Sequence, residues 1–189
     1  MARPVDERKR AELLAAVVGY LETYGIAGLS LRAVAAELGT SSRMLVYYFG
    51  TKENMLAQAL ETSRPDVTGL LGRAASGPAL RETLLALWHD VTAGRQRRSA
   101  PLMLEVMALA GVPDSPYREF AAREVDGWVA PLATAFVRIG HAPDDARARA
   151  TALVSGARGV LLDRLVTGDD VRTDAAVRTL VDALTAPPR

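Results

Sequence analysis

A chain of 189 residues, 49% of them hydrophobic, has enough apolar material for a packed core, and its 23 basic against 22 acidic residues create no overall field that would announce a nucleic-acid partner. It has no cysteine and two histidines, His89 and His141, which excludes a thiol nucleophile and a disulfide framework and leaves almost nothing for a zinc or iron site. The opening MARPVDERKRAE lacks the apolar run of a signal peptide, and the stretch 13–21 is about half of the ~20 residues a membrane span needs, so a cytoplasmic protein with no membrane partner is expected.

From the first residues onward the apolar spacing is helical. Leu14, Val17, Val18, Leu21 and Tyr24 fall at three- and four-residue steps, and so do Leu31, Val34, Ala35 and Leu38. No stretch longer than a few residues alternates as a strand would, so the expected fold class is all-α. Clusters of Gly, Pro, Ser, Thr and Asp interrupt the pattern near residues 25–29, 39–41, 50–51, 64–65, 76–78, 99–101, 111–116, 140–143 and 167–173, giving about nine helices. The segments become longer and richer in alanine after Pro65, which places a division near residue 66. Residues 1–66 hold eight basic and eight acidic side chains, so any case for DNA there rests on where the charges sit.

Within that first part, Ser30 is placed to cap a helix over 31–38, Gly39 to end it in the left-handed region, and Ser41 to cap the next helix after a three-residue turn. The result is helix, tight turn, helix. In the second helix, about 42–49, Leu45 and Phe49 lie four apart on the side expected to pack on Leu31, Val34 and Leu38, while Ser42, Arg43, Val46 and Tyr47 lie opposite. A short helix with Ser, Ser, Arg and Tyr on its free side has the size and donors to enter a major groove, where Arg43 would reach guanine O6 and N7. Thr51 caps a further helix whose first turn holds Lys52. The helix dipole disfavours a cation at that position, and an arriving phosphate would favour it.

The stretch LSLRAVAAELGTSSRMLVYYFGTKENML, residues 29–56, resembles the DNA-binding segment of the TetR family of transcriptional regulators through its LRAVAAELG helix, its YYF block and its TKEN start. The resemblance implies a DNA-binding domain over 7–66, with its helix-turn-helix at about 30–49, and a helical effector-binding and dimerisation domain over 67–189. Carried over position by position, it implies backbone or groove-edge contacts from Ser30 and Arg32, base or groove contacts from Ser41, Ser42, Arg43 and Met44, and phosphate contacts from Tyr47, Tyr48 and Lys52. Two positions depart from the family pattern. Val46 stands where a tyrosine is frequent, and Tyr48 where a histidine is.

Farther along, Trp88, Met103, Met107, Trp128 and Phe136 are the large or adaptable side chains of the central helices, with His89 as a polar point, and they are the candidates for a ligand pocket. The helix over 144–166 carries a stripe including Leu153, Ala157 and Leu161 with Gly156 and Gly159 in its middle, and each internal glycine calls for close packing in return. The last helix repeats Val177, Leu180, Val181 and Leu184. The family resemblance makes these two helices the dimer interface, with intramolecular burial as the other reading. No nucleophile is paired with an activating base, so no enzyme is expected and no cofactor is implied. The expected function is a homodimeric, ligand-responsive repressor on a palindromic double-stranded DNA operator, released by an unidentified small-molecule effector. The rival reading is a helical small-molecule-binding or sequestration protein that recognises no operator.

Overall fold

The computed structural model describes residues 6–62 and 64–187, and among these it contains ten α-helices, one 3-10 turn and no strand. One helix more than the expected nine comes from the six-residue α5, Val67–Gly72, which is too short to show a period but is capped by Asp66. Two compact units divide the chain. None of the described helices is long and apolar enough to cross a membrane.

The first unit holds α1 (Glu7–Tyr24), α2 (Leu31–Glu37), α3 (Ser42–Phe49), α4 (Lys52–Thr62) and, from farther along, α7 (Ser99–Ala110). Asp6 caps α1, its carboxylate accepting the Lys9 amide proton at 3.0 Å. Leu13, Leu14, Val17 and Leu21 form the buried face of α1, which packs on α4, where Met55, Leu56, Ala59 and Leu60 are buried. The Arg10 guanidinium adds a bond to the Gln58 side-chain oxygen across that same pair of helices. Leu102, Val106 and Ala110 recur every four residues along α7 and bury it against α1 and α4. The first unit breaks off after Arg64, and residues 98–118 pack with it. Periodicity identifies the buried face of α7; it carries no information on which neighbour covers it.

The second unit contains α5, α6 (Gly77–Thr92), the 3-10 turn Arg95–Arg97, α8 (Arg118–Arg138, from Glu119 onward), α9 (Pro143–Thr167) and α10 (Asp170–Thr185). Helix α10 lies against both α6 and α9. At Gly156 the α9–α10 approach is close enough that an added Cβ would sit 2.6 Å from Leu180 Cδ2, which answers the requirement that an internal glycine be offset by packing. Three helices also meet at Asp174, whose Oδ1 accepts from the Trp88 indole at 2.7 Å and from the Arg164 guanidinium at 2.6 Å. Burial alone lifts the Asp174 pKa, but the Trp88 and Arg164 bonds outweigh it and hold the carboxyl below its ordinary value. Nearby, Arg172 forks onto both oxygens of Asp163 at 2.6 and 2.7 Å and ties the first turn of α10 to the end of α9.

Burial alters the expectation for the dimer interface. Leu153, Leu161, Val177 and Val181 are buried within a single chain, and Ala157, Leu180 and Leu184 are half-buried. The stripe is real, yet it faces this chain's own helices. What α9 leaves exposed is a different set at helical spacing, Ala152, Ser155, Gly159, Leu162 and Val166, the last of them 78% exposed.

Candidate nucleic-acid interface

The turn between α2 and α3 is built from short-range hydrogen bonds. Ser30 Oγ accepts the Ala33 amide proton at 3.1 Å and starts α2. At the other end Gly39 takes φ +60°, the Gly39 amide donates to Ala36 O, and the Thr40 amide donates to Ala35 O at 2.9 Å, the paired bonds of a Schellman stop. Ser41 then caps α3 by accepting the Met44 amide proton at 3.2 Å. Because each bond spans five residues or fewer, the angle between α2 and α3 is set locally and then fixed by packing. Leu45 and Phe49, at 0% and 2% exposure, form the inward face of α3, and Val34 and Ala35 are buried on α2. Fully burying a Leu or Phe side chain contributes about 1.5–3 kcal/mol each.

The opposite face of α3 is open. Arg43, Met44, Val46 and Tyr47 are exposed, the last two at 47% each, and Ser42 is half-buried at the start of the helix. Among the described residues Arg43 forms no ion pair, so its guanidinium remains available to a partner. Tyr48 is half-buried, with its ring edge-on to Tyr47 at 5.0 Å and 6.4 Å from Phe49. On α2, Ser30 and Arg32 are exposed at the first turn. Lys52 is half-buried in the first turn of α4, its ammonium 3.7 Å from the Glu53 carboxylate, which partly offsets its charge in the free protein. Thr51 caps that turn by accepting the Asn54 amide proton at 3.1 Å.

All nine residues proposed from the sequence therefore lie in one unit, on α2, α3 and the start of α4. Asn54 was missed by sequence reasoning. Its side-chain amide donates to the Phe49 carbonyl at 2.8 Å, tying the last turn of α3 to α4 beside Gly50, which has φ +75°. The spacing Thr51 to Asn54 carried the signal of a capped first turn but not the reach of the Asn54 side chain back to α3.

An exposed helix 8 residues long, held on one side and carrying serine, arginine and tyrosine on the other, matches the dimensions of a major groove about 12 Å wide. Residues 13–59 match the model for the bacterial regulatory proteins of the tetR family. The segment from α1 to α4 is thus similar to the DNA-binding region of that family. The chain's similarity to solved structures extends over both units. SmeT, the repressor of the Stenotrophomonas maltophilia multidrug efflux pump SmeDEF, is 18% identical with a TM-score of 0.72, the match covering 93% of this chain and 87% of SmeT. A transcriptional regulator from Rhodococcus sp. Rha1 is 21% identical with a TM-score of 0.75, covering 95% and 99%. The multidrug binding protein EbrR, complexed with imidazole, is 22% identical with a TM-score of 0.69, covering 98% and 93%. At these identities the likeness is one of fold. No protein of curated function matches the chain by sequence.

The expected pocket residues do not converge within one unit. Met103 and Met107 lie half-buried on α7 of the first unit, while Trp88, His89, Trp128 and Phe136 belong to the second. Phe136 is sealed at 0% exposure, edge-on to His141 at 5.7 Å, because it shares one helical stripe with Val129 and Leu132 and fills the core. Trp88 is buried with its indole committed to Asp174 and the Arg164 guanidinium 5.8 Å over its ring. His89 points outward. Trp128 keeps partial exposure.

Proposed function

We propose that this protein is a ligand-responsive repressor that binds a palindromic operator as a homodimer. The observation that carries the reading is the division of α3 into a sealed face, Leu45 and Phe49, and an exposed face holding Arg43, Met44, Val46 and Tyr47. In this reading Ser41, Ser42, Arg43 and Met44 face base edges. Ser30, Arg32, Tyr47, Tyr48 and Lys52 set the register through phosphates and the groove edge, and Asn54 positions the end of α3. Phosphate contacts supply most of the affinity, and Arg43 supplies most of the discrimination.

Two copies are needed because a single eight-residue helix reads only a few base pairs, and a two-fold dimer places two such helices about 34–36 Å apart in successive major grooves. The exposed α9 face supports a second copy as its cover. Ala152, Ser155 and Gly159 are small enough for close helix approach, Gly159 has open space where a Cβ would be, and Leu162 and Val166 add apolar surface. A small-molecule effector is favoured by the fold shared with EbrR, a multidrug binding protein, and by the aromatic content of the second unit. Such a ligand releases DNA only insofar as it binds the non-operator spacing of the two recognition helices more tightly. The domain from Pro65 onward would then be the effector-binding and dimerisation domain.

The test is a gel shift on DNA from the region upstream of the protein's own coding sequence, run against scrambled DNA over a range of salt. A complex that prefers the upstream DNA and weakens steeply with salt is expected. The absence of any sequence-selective complex would overturn the repressor reading and favour sequestration of a small molecule instead.

A further inference from the structure

The DNA-binding unit carries a cleft that the contacts to DNA do not use. It has a volume of about 320 Å³ and lies between α1 and the C-terminal end of α2, lined by Ala16, Gly19, Tyr20, Thr23, Tyr24, Glu37 and Leu38. Four features of it are unusual for an idle surface. Tyr20 and Tyr24 pair with ring centroids 4.8 Å apart at 41°, forming one continuous aromatic wall. Tyr24, which sequence periodicity assigns to the apolar face of α1, is instead 52% exposed. Glu37 is the only charged residue in the lining, and the nearby carboxylate raises the pKa of the Tyr24 phenol above its ordinary value. Gly19 sits in the middle of an 18-residue helix with nothing within 4 Å of where its Cβ would be.

That glycine has no packing partner to explain it. An interior helical glycine costs about 0.5–1 kcal/mol relative to alanine, and here no neighbour approaches closely enough to require it. What the missing side chain provides is room on the cleft floor. The chemistry of the walls selects the occupant. The face of a phenol ring attracts cations and is indifferent or repulsive toward anions, and a carboxylate offers about four lone-pair sites to a cation. Thr23 contributes little polarity, since its hydroxyl already donates to the Gly19 carbonyl at 2.9 Å.

We infer that this cleft is a binding site for a small organic cation, an alkylated ammonium whose charge rests between the Tyr20 and Tyr24 rings and the Glu37 carboxylate. The ligand would touch α2 at the end opposite Ser30 and Arg32, and so would act on the DNA-binding unit directly. The site does not depend on the repressor reading and stands or falls separately from it.

The experiment titrates the full chain, without DNA, with tetramethylammonium chloride through the millimolar range and follows the tyrosine ring resonances by NMR, with sodium chloride at matched ionic strength as control. Saturable shifts at Tyr20 and Tyr24, absent with sodium, are expected. Glu37→Gln should weaken binding roughly two- to fivefold, the scale of one exposed charge pair. Gly19→Leu, which fills the floor, should abolish the shifts. Should that variant fail to fold, Tyr24→Ala serves instead, removing half of the aromatic wall and weakening binding by a similar factor. Linear, non-saturating shifts, equal shifts with sodium, or saturable shifts unchanged by Glu37→Gln would each overturn the assignment.

Discussion

Replacing Arg43 by alanine tests whether α3 reads bases or only rests on the backbone. The side chain is exposed and forms no ion pair among the described residues, so its loss should leave the fold within about 0.5 kcal/mol of wild type, as for surface substitutions in general. A bidentate arginine–guanine contact contributes about 1–3 kcal/mol of discrimination, and at 1.4 kcal/mol per tenfold this is roughly a 5- to 150-fold loss of operator preference per half-site. Lys52 is the internal control. It lies at a helix N-terminus, already partly offset by Glu53 at 3.7 Å, and would meet a phosphate rather than a base. Lys52→Ala should weaken operator and scrambled DNA alike and reduce the slope of log affinity against log salt by about 0.9 for each phosphate no longer neutralised. Fluorescence anisotropy with both DNAs at several salt concentrations reads the two effects separately. If Arg43→Ala lowers both affinities in parallel and leaves the ratio unchanged, α3 is not the reading element at that position.

Three further outcomes follow from the same geometry. Leu45→Ala, at a fully buried position, should cost about 2–5 kcal/mol and lower the melting temperature, and it should abolish operator binding because α3 loses its seat. Gly159→Arg faces open space in the single chain, so the chain should still fold while light scattering shows the monomer's mass in place of the proposed dimer's. A variant that stays dimeric would move the interface away from the exposed α9 face. Asp174→Asn keeps one acceptor oxygen but removes the negative charge that Trp88 and Arg164 share. Since the folded carboxyl lies below its ordinary value, its stabilisation is fully present above about pH 3.9 and fades as pH falls through the folded value, so the variant should melt earlier at neutral pH and converge on wild type in acid. Trp88 fluorescence follows the local change directly.

The parts of this molecule that were legible in its sequence are those decided within a few residues. Ser30, Ser41 and Thr51 could be read as caps because each accepts an amide proton three positions along, and Gly39 as a stop because its conformation disfavours other residues. Leu45 and Phe49 followed from spacing alone. What spacing cannot supply is the identity of the surface opposite a buried stripe. Leu153, Leu161, Val177 and Val181 have the pattern of an interface between subunits and of a seam within one, and only the packing of α10 on α6 and α9 chooses the seam. In the same way, spacing does not say that α7 packs on α1 and α4.

A second kind of information was present but silent. Gly19 and Gly159 both interrupt helices where alanine would be more stable, and in the sequence they look alike with Gly156. The structure separates them by what each would touch. Gly156 meets Leu180 and is explained by intramolecular packing, whereas Gly19 and Gly159 meet nothing within this chain. A glycine whose helix-propensity cost of about 1 kcal/mol has no intramolecular return marks a surface where something outside the chain would approach. By that reasoning the α9 face and the α1–α2 cleft are the places where a second copy and a ligand should be sought first.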